Sequence, residues 1–182
     1  MGGMHTSLHC ASSCRNPGLE PIEASVERHS ATLIRLRYAV VGTVLEVAVP
    51  PPASPVRADR LWESTCFEAF LRAEGEEPYL ELNFSPSGEW AAYTFSGYRA
   101  GMAEAPLLAP PEICTTCSAD RLEVEVTVSL SLNPGAHAMN LAAVIRSRGS
   151  ERSFWSARHP AGEPDFHDPG CFIHRLPAAP AP

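Results

Sequence analysis

The sequence predicts an all-β protein, an antiparallel sandwich of about ten short strands. Three observations carry this. Apolar residues alternate with polar ones in runs of six to ten residues, the period of a half-buried strand. The chain holds 18 prolines and 12 glycines, too many for long helices but suited to short strands joined by turns. No segment carries a strong helical period.

The elements follow in order. Residues 1–18 are expected to form a flexible leader, since they show little apolar periodicity to bury, with structure starting near Ile22. Residues 32–39 alternate Leu33, Ile34, Leu36 and Tyr38 with Arg35 and Arg37; residues 44–49 alternate Val44, Leu45, Val47 and Val49 with Glu46. Both are expected to be strands, with a turn at Val41-Gly42-Thr43. Pro50-Pro51-Pro52 and Pro55 then force an extended crossing. Residues 61–101 are the densest aromatic stretch and predict a three-strand meander: 66–71, 79–84 and 90–95. In the middle run Leu80, Leu82 and Phe84 fall on one face and Tyr79, Glu81 and Asn83 on the other. Its turns are Glu74-Gly75-Glu76-Glu77-Pro78 and Ser85-Pro86-Ser87-Gly88. Residues 100–112 predict a surface loop. Residues 121–130 set Leu122, Val124, Val126, Val128 and Leu130 against Glu123, Glu125, Thr127 and Ser129, a strand buried on one side. After a turn at Asn133-Pro134-Gly135 come strands at 139–145 and 153–156, a loop over 158–170, a closing strand at 171–176, and a proline-rich tail over 177–182 expected to be disordered.

Composition narrows the function. A chain of 182 residues, 45% hydrophobic, can bury a core as one domain, placed here at residues 19–176. A net charge of −7 argues against nucleic acid, which needs a basic face. No apolar run approaches the roughly 20 residues that span a bilayer, so no membrane association is expected. The N-terminus lacks a basic region followed by an apolar one, which makes the cytoplasm the expected location. In a reducing compartment the six cysteines act as small apolar residues or free thiols. Cys114-Thr-Thr-Cys117 has the spacing of half a zinc site or of a redox pair, with Cys10 and Cys14 as the conceivable other half.

The candidate chemistry is that of a polar small ligand. A sugar offers apolar C–H faces and a rim of hydroxyls, so its site needs flat aromatic surface with carboxylates, amides or guanidinium groups. Trp62, Trp90 and Trp155 with Glu68, Glu81, Asn83, Tyr98 and Arg99 supply that mix, although tryptophans in a sandwich also serve as core or rim packing. Glu68 lies between Cys66 and Phe70 on one strand face, where a buried carboxylate needs a partner such as Arg99, or a wet groove. The loop bearing His159, Asp165, His167 and Asp168 reads three ways: a His/carboxylate metal set, a proline-fixed loop held by local hydrogen bonds, or the lining of a polar pocket.

The runs Leu61-Trp62-Glu63-Ser64-Thr65-Cys66-Phe67-Glu68-Ala69-Phe70 and Leu82-Asn83-Phe84-Ser85-Pro86-Ser87-Gly88-Glu89-Trp90, then Tyr93, Gly97-Tyr98-Arg99, Trp155, His159-Pro160 and Pro164-Asp165-Phe166-His167, resemble the bacterial DOMON-like proteins. The likeness runs from about Leu19 to Leu176. It implies an immunoglobulin-like β-sandwich related to family 9 carbohydrate-binding modules, whose relatives bind sugars or haem b. It further implies that Trp62 with Glu68 forms half of a sugar site, that Trp155 supplies the second aromatic wall, and that Glu81 and Asn83 flank them. Haem would need a His and a Met ligand from Met102 or Met139 with His137, His159 or His167, and no local spacing pairs these. No G-x-S-x-G, H-E-x-x-H, P-loop or G-x-G-x-x-G is present. The expectation is a non-catalytic domain that binds a sugar-like small molecule through Trp62, Glu68, Glu81, Asn83, Tyr98, Arg99 and Trp155, with His159, Asp165 and His167 from the late loop. The alternatives are a haem-binding electron-transfer domain and a protein-interaction module.

Overall fold

The computed structural model describes residues 2–180. Among them are twelve strands: β1 (Gly2–Cys10), β2 (Ile22–Arg28), β3 (Leu33–Val41), β4 (Cys66–Ala73), β5 (Tyr79–Phe84), β6 (Trp90–Phe95), β7 (Ala103–Glu104), β8 (Glu112–Cys117), β9 (Arg121–Ser129), β10 (His137–Arg146), β11 (Arg152–Ser156) and β12 (His174–Leu176). Three single-turn 3-10 helices complete the list, at Val44–Glu46, Leu61–Glu63 and Pro169–Cys171. No described helix is long and apolar enough to cross a membrane.

All ladders are antiparallel. Sheet I runs β1-β2-β3-β9-β8, and sheet II runs β7-β6-β5-β4-β10-β11-β1, with β12 added to β10. Strand alternation explains why the two pack face to face. Ile22, Ala24 and Val26 of β2, Ile34, Leu36, Tyr38 and Val40 of β3, and Leu122, Val124, Val126 and Val128 of β9 turn inward from sheet I. Phe67, Ala69 and Leu71 of β4, Leu82 and Phe84 of β5, Met139, Leu141, Ala143 and Ile145 of β10, and Trp155 of β11 answer from sheet II. The result is an all-β antiparallel sandwich, as the alternation predicts. Tyr38 spans the core: its ring lies 5.0 Å from that of Phe67, and its hydroxyl donates to the Glu68 carbonyl at 2.8 Å.

Four expectations need correction. Residues 2–10 are not a loose leader: Gly2–Leu8 pair with β2, His9 and Cys10 pair with β11, and β1 thereby joins the two sheets. In its alternation of Met4, Thr6, Leu8 and Cys10, Leu8 is fully buried while Met4 and Cys10 pack against the core only in part. Residues 44–49 are not a strand, because Val44 and Val47 enter the core three positions apart on a 3-10 turn while Leu45 stands 62% exposed. The Cys114 and Cys117 pair lies on extended β8, opposite Glu125 and Leu122 respectively. Three residues of strand span about 10 Å and end on opposite faces, beyond the reach of a disulfide or a shared metal. The closing strand is shorter than expected, since Pro169–Cys171 form a 3-10 turn.

The start of the tail is also held. Arg28, 2% exposed, donates to the carbonyls of Ser30, Asn133, Gly135 and Pro177 at 3.2, 2.7, 2.8 and 3.2 Å. The Ala179 amide adds a bond to the Pro134 carbonyl at 2.9 Å. Residues 181 and 182 of the expected tail lie outside the described residues. One guanidinium therefore clamps the end of β2, the turn before β10 and the exit of β12. Arg28→Met, which keeps the length but strands four carbonyls, is expected to cost about 3 kcal/mol in a urea unfolding titration.

Candidate functional site

The site is on the outer face of sheet II, the face turned away from the core. Period two sends Cys66, Glu68 and Phe70 of β4 outward, with Tyr79, Glu81 and Asn83 of β5, Tyr93 and Phe95 of β6, Ala142 and Val144 of β10, and Phe154 of β11. Such an apolar face needs a cover. The late loop provides one: Phe166 packs 6.4 Å from Phe70 and 6.0 Å from Phe154, and Phe172 packs 6.2 Å from Phe70 and 5.7 Å from Tyr79. Where the cover stops, a cavity of about 320 Å³ remains, within the range of small-ligand sites. Trp62, Phe95, Phe154, Phe166, Val144, Pro164 and Met102 form its apolar walls; Glu68, Glu81, Arg99 and His167 are its polar lining. Trp62 reaches it from the 3-10 turn Leu61–Glu63, braced edge-on against Tyr93 at 6.0 Å. A larger crevice of about 520 Å³ lies between residues 15–18 and 147–153, but its charged members are exposed and Arg15 already faces Glu151 at 3.8 Å.

Two carboxyls sit close together on the pocket floor. Glu68 stands directly across from Asn83, and Glu81 across from Phe70, so the two acids are diagonal neighbours on adjacent strands. Glu68 is 3% exposed and its Oε1 has no hydrogen-bond partner on the protein. Burial, and then the neighbouring Glu81 charge, push the Glu68 carboxyl well above the ordinary carboxylate range. Burial also raises Glu81, against the opposing pull of a 2.7 Å hydrogen bond from Asn83 Nδ2 and of the Arg99 charge.

A separate network fastens the loop. Asp165 accepts Arg99 Nη2 at 2.7 Å and Nε at 3.2 Å, the Tyr98 hydroxyl, and the His167 amide at 3.0 Å. Burial works against ionising Asp165, but the Arg99 and Tyr98 bonds outweigh it and hold the carboxyl below its usual range. Arg99 occupies the left-handed region, φ 51°, a conformation seldom taken by a residue with a Cβ, and the tight turn it closes aims the guanidinium at Asp165. Its amide donates to the Tyr79 hydroxyl at 3.2 Å, which leaves the Tyr79 proton for His167 Nδ1 at 2.8 Å. The His167 proton is thereby assigned to Nε2, 3.7 Å from Glu81 Oε2. This pair is not ionic: burial, with the Arg99 charge, lowers His167 to about 4, while Glu81 is raised.

Of the residues singled out in the sequence, Trp62, Glu68, Glu81, Arg99 and His167 line the cavity. Asn83, Tyr98 and Asp165 stand behind them as supports. Trp155 does not form a wall. It is 1% exposed in the core, with Nε1 donating to Ser153 Oγ at 2.9 Å, because it lies opposite inward-facing Ala143. Its neighbour Phe154 takes the outer face instead. His159 is outside the cavity, its Nε2 donating to the His9 carbonyl at 2.8 Å. The metal reading of the loop fails on geometry: Asp165 goes to Arg99, His167 to Tyr79, His159 to His9, and Asp168 to the Gly170 amide. Among the described residues no three His, Cys, Asp or Glu side chains converge on a metal position. Lining residues outside the expected site set are Phe95, Phe154, Phe166, Met102, Val144 and Pro164; of these, Pro164 and Phe166 stood in the late-loop motif and Met102 was named only as a haem ligand. Alternation around Trp155 could have yielded Phe154; Met102 has no local signal.

No family model matches the chain, and no curated protein matches its sequence. Solved structures do share its fold. A protein from Bacteroides uniformis ATCC 8492, provisionally described as carbohydrate-binding, is 17% identical, with 96% of this chain and 85% of that chain covered at a TM-score of 0.61. A family 9 carbohydrate-binding module from Caldicellulosiruptor kristjanssonii, in complex with cellotriose, is 12% identical over 85% of this chain and 74% of that chain, TM-score 0.50. At these identities the likeness is one of fold: the chain shares the antiparallel β-sandwich of these structures.

The buried imidazole makes stability depend on pH with a definite sign. His167 has a folded value of about 4 against 6.5 ordinarily, so between these values the unfolded chain binds the extra proton. Its contribution is complete above about pH 6.5 and is lost as pH falls toward 4. The raised glutamates act in the opposite sense, so the informative quantity is a difference. The stability gap between wild type and His167→Gln should narrow by about 3 kcal/mol from neutral pH to pH 4, measured by denaturant unfolding.

Proposed function

We propose that this protein is a non-catalytic carbohydrate-binding module of the DOMON-like type, taking a sugar-like ligand in the cavity between Trp62 and the late loop. The observation that carries the reading is the Glu68 carboxyl, buried at an aromatic-walled pocket with its Oε1 unpartnered on the protein. A buried carboxyl without a partner costs free energy in the isolated protein, and a ligand that brings hydrogen-bond donors relieves that cost on binding. A sugar brings hydroxyls for Glu68 and Glu81 together with apolar faces for Trp62, Phe154 and Phe166. The shared fold with a family 9 module in complex with cellotriose supports this assignment.

Catalysis fits the geometry poorly. Glycoside hydrolysis pairs an ionised carboxylate with a protonated acid. Here burial raises both acids, and the Arg99 guanidinium that favours ionised Glu81 is already paired with Asp165. The haem alternative finds Met102 and His167 on one cavity. Yet His167 Nδ1 is committed to Tyr79 and Nε2 faces Glu81 rather than an open coordination position, and a porphyrin face offers no donor to Glu68.

Trp62 is half-buried in a surface turn, so Trp62→Ala should leave the melting temperature within a few degrees of wild type while abolishing sugar binding. In a thermal-shift titration over mono- and oligosaccharides, a ligand at 100 times its Kd should stabilise wild type by about 2.7 kcal/mol and the variant not at all. A Soret band on reconstitution with haem, without any sugar response, would reverse the assignment.

A further inference from the structure

The charge balance of the cavity narrows the ligand further, on the premise that the cavity binds a sugar. Four titratable side chains line it, and neither basic group is hydrogen-bonded to the acids, although the Arg99 charge favours ionised Glu81 from a distance. Arg99 is held bidentately by Asp165 and touched by the Tyr98 hydroxyl. His167 is tied to Tyr79 through Nδ1 and stays neutral until about pH 4. The other cation beside the walls, Arg152, lies over the Phe154 ring at 5.8 Å and donates to the Trp62 carbonyl at 3.5 Å, so it too makes no bond to Glu68. Cys66 and Asn83 flank Glu68 on the outward face, and Tyr38 from sheet I bonds its carbonyl rather than its carboxyl. Tyr93 is turned to Asp59; β10 presents Ala142 and Val144, and β11 presents Phe154. Two buried acids thus share a pocket with no cation hydrogen-bonded to them, inside walls of Trp62, Phe154, Phe166 and Phe95.

Acidic oxygens enclosed by aromatic faces are the chemistry that receives an ammonium group. Such a group offers three N–H donors, supplies the missing positive charge, and is attracted to the surrounding ring faces. We propose that the ligand is a hexosamine with a free amine, bound so that its ammonium group lies against the Glu68 and Glu81 carboxyls while the ring rests on Trp62. N-acetylation removes both the charge and two of the three donors, and a plain hydroxyl lacks the charge. Any proton held by Glu68 passes to solvent as the ammonium ion enters, leaving a carboxylate–ammonium pair. Affinity therefore rises with pH until the amine itself loses its proton.

The test is isothermal titration of the full chain near neutral pH with the 2-amino, 2-acetamido and 2-hydroxy forms of the gluco, galacto and manno hexoses, and with ethanolamine as a ring-free ammonium. In one series the amino form should bind roughly ten- to a hundredfold tighter than its hydroxy and acetamido counterparts. Its binding heat should vary with the ionisation enthalpy of the buffer, reporting net release of protons on binding. Glu68→Gln should lose both the preference and the proton release; Glu81→Gln serves as the second variant if Glu68→Gln does not fold. Equal affinity for neutral and amino sugars, or a preference that survives in Glu68→Gln, overturns the ammonium assignment and leaves the carbohydrate reading standing. Ethanolamine binding as tightly as the amino sugar overturns the sugar half. Response to none of the compounds overturns both.

Discussion

Burial of β4 on both faces is the constraint from which the rest follows. Phe67, Ala69 and Leu71 point into the sandwich core while Cys66, Glu68 and Phe70 point outward under the late loop. A strand covered on one side only would leave Glu68 in water with an ordinary acidity. Because Phe70 requires a cover of Phe166 and Phe172, the same cover closes over Glu68 and desolvates it. Core packing thus sets the register, the register sets which residues face outward, and the loop converts that face into a cavity.

The loop is held without using the pocket acids. Asp165 takes the Arg99 guanidinium, and Tyr79 links the Arg99 amide to His167, so the latch is complete in itself. This division separates two kinds of carboxyl within a few residues of structure. Asp165, with a cation and several hydrogen bonds, stays ionised and structural; Glu68, with none, stays available. The lack of a protein partner, more than residue type, separates Glu68 from Asp165.

Several elements were legible because burial on one side leaves a period-two trace. β9 shows it in full, and β5 separated Leu80, Leu82 and Phe84 from Tyr79, Glu81 and Asn83 as observed. Legibility failed where burial was two-sided or shared across turns. At β11 both faces are covered, so the resemblance and the residue type favoured Trp155 as an aromatic wall, whereas the register turns Phe154 toward the cavity. At residues 44–47 a spacing of three imitated a strand, and at β1 the inward residues, Leu8 apart, are buried only in part. Cys114 and Cys117 formed a motif in sequence that an extended backbone separates.

By itself the sequence determined the class of fold and the strands of the meander, because local alternation is written in neighbouring positions; residue chemistry and the family resemblance also named Trp62, Glu68, Glu81, Arg99 and His167, which the structure places around one cavity. The tertiary structure alone decided that β1 joins the two sheets, that Trp155 belongs to the core, and that Arg99 is spent on Asp165 while Glu68 remains unpartnered. Those outcomes depend on which groups meet across 66 residues for Arg99 and Asp165, and up to 149 for Arg28 and Pro177. Pairing over such separations is set by strand register and loop closure, which local periodicity does not encode.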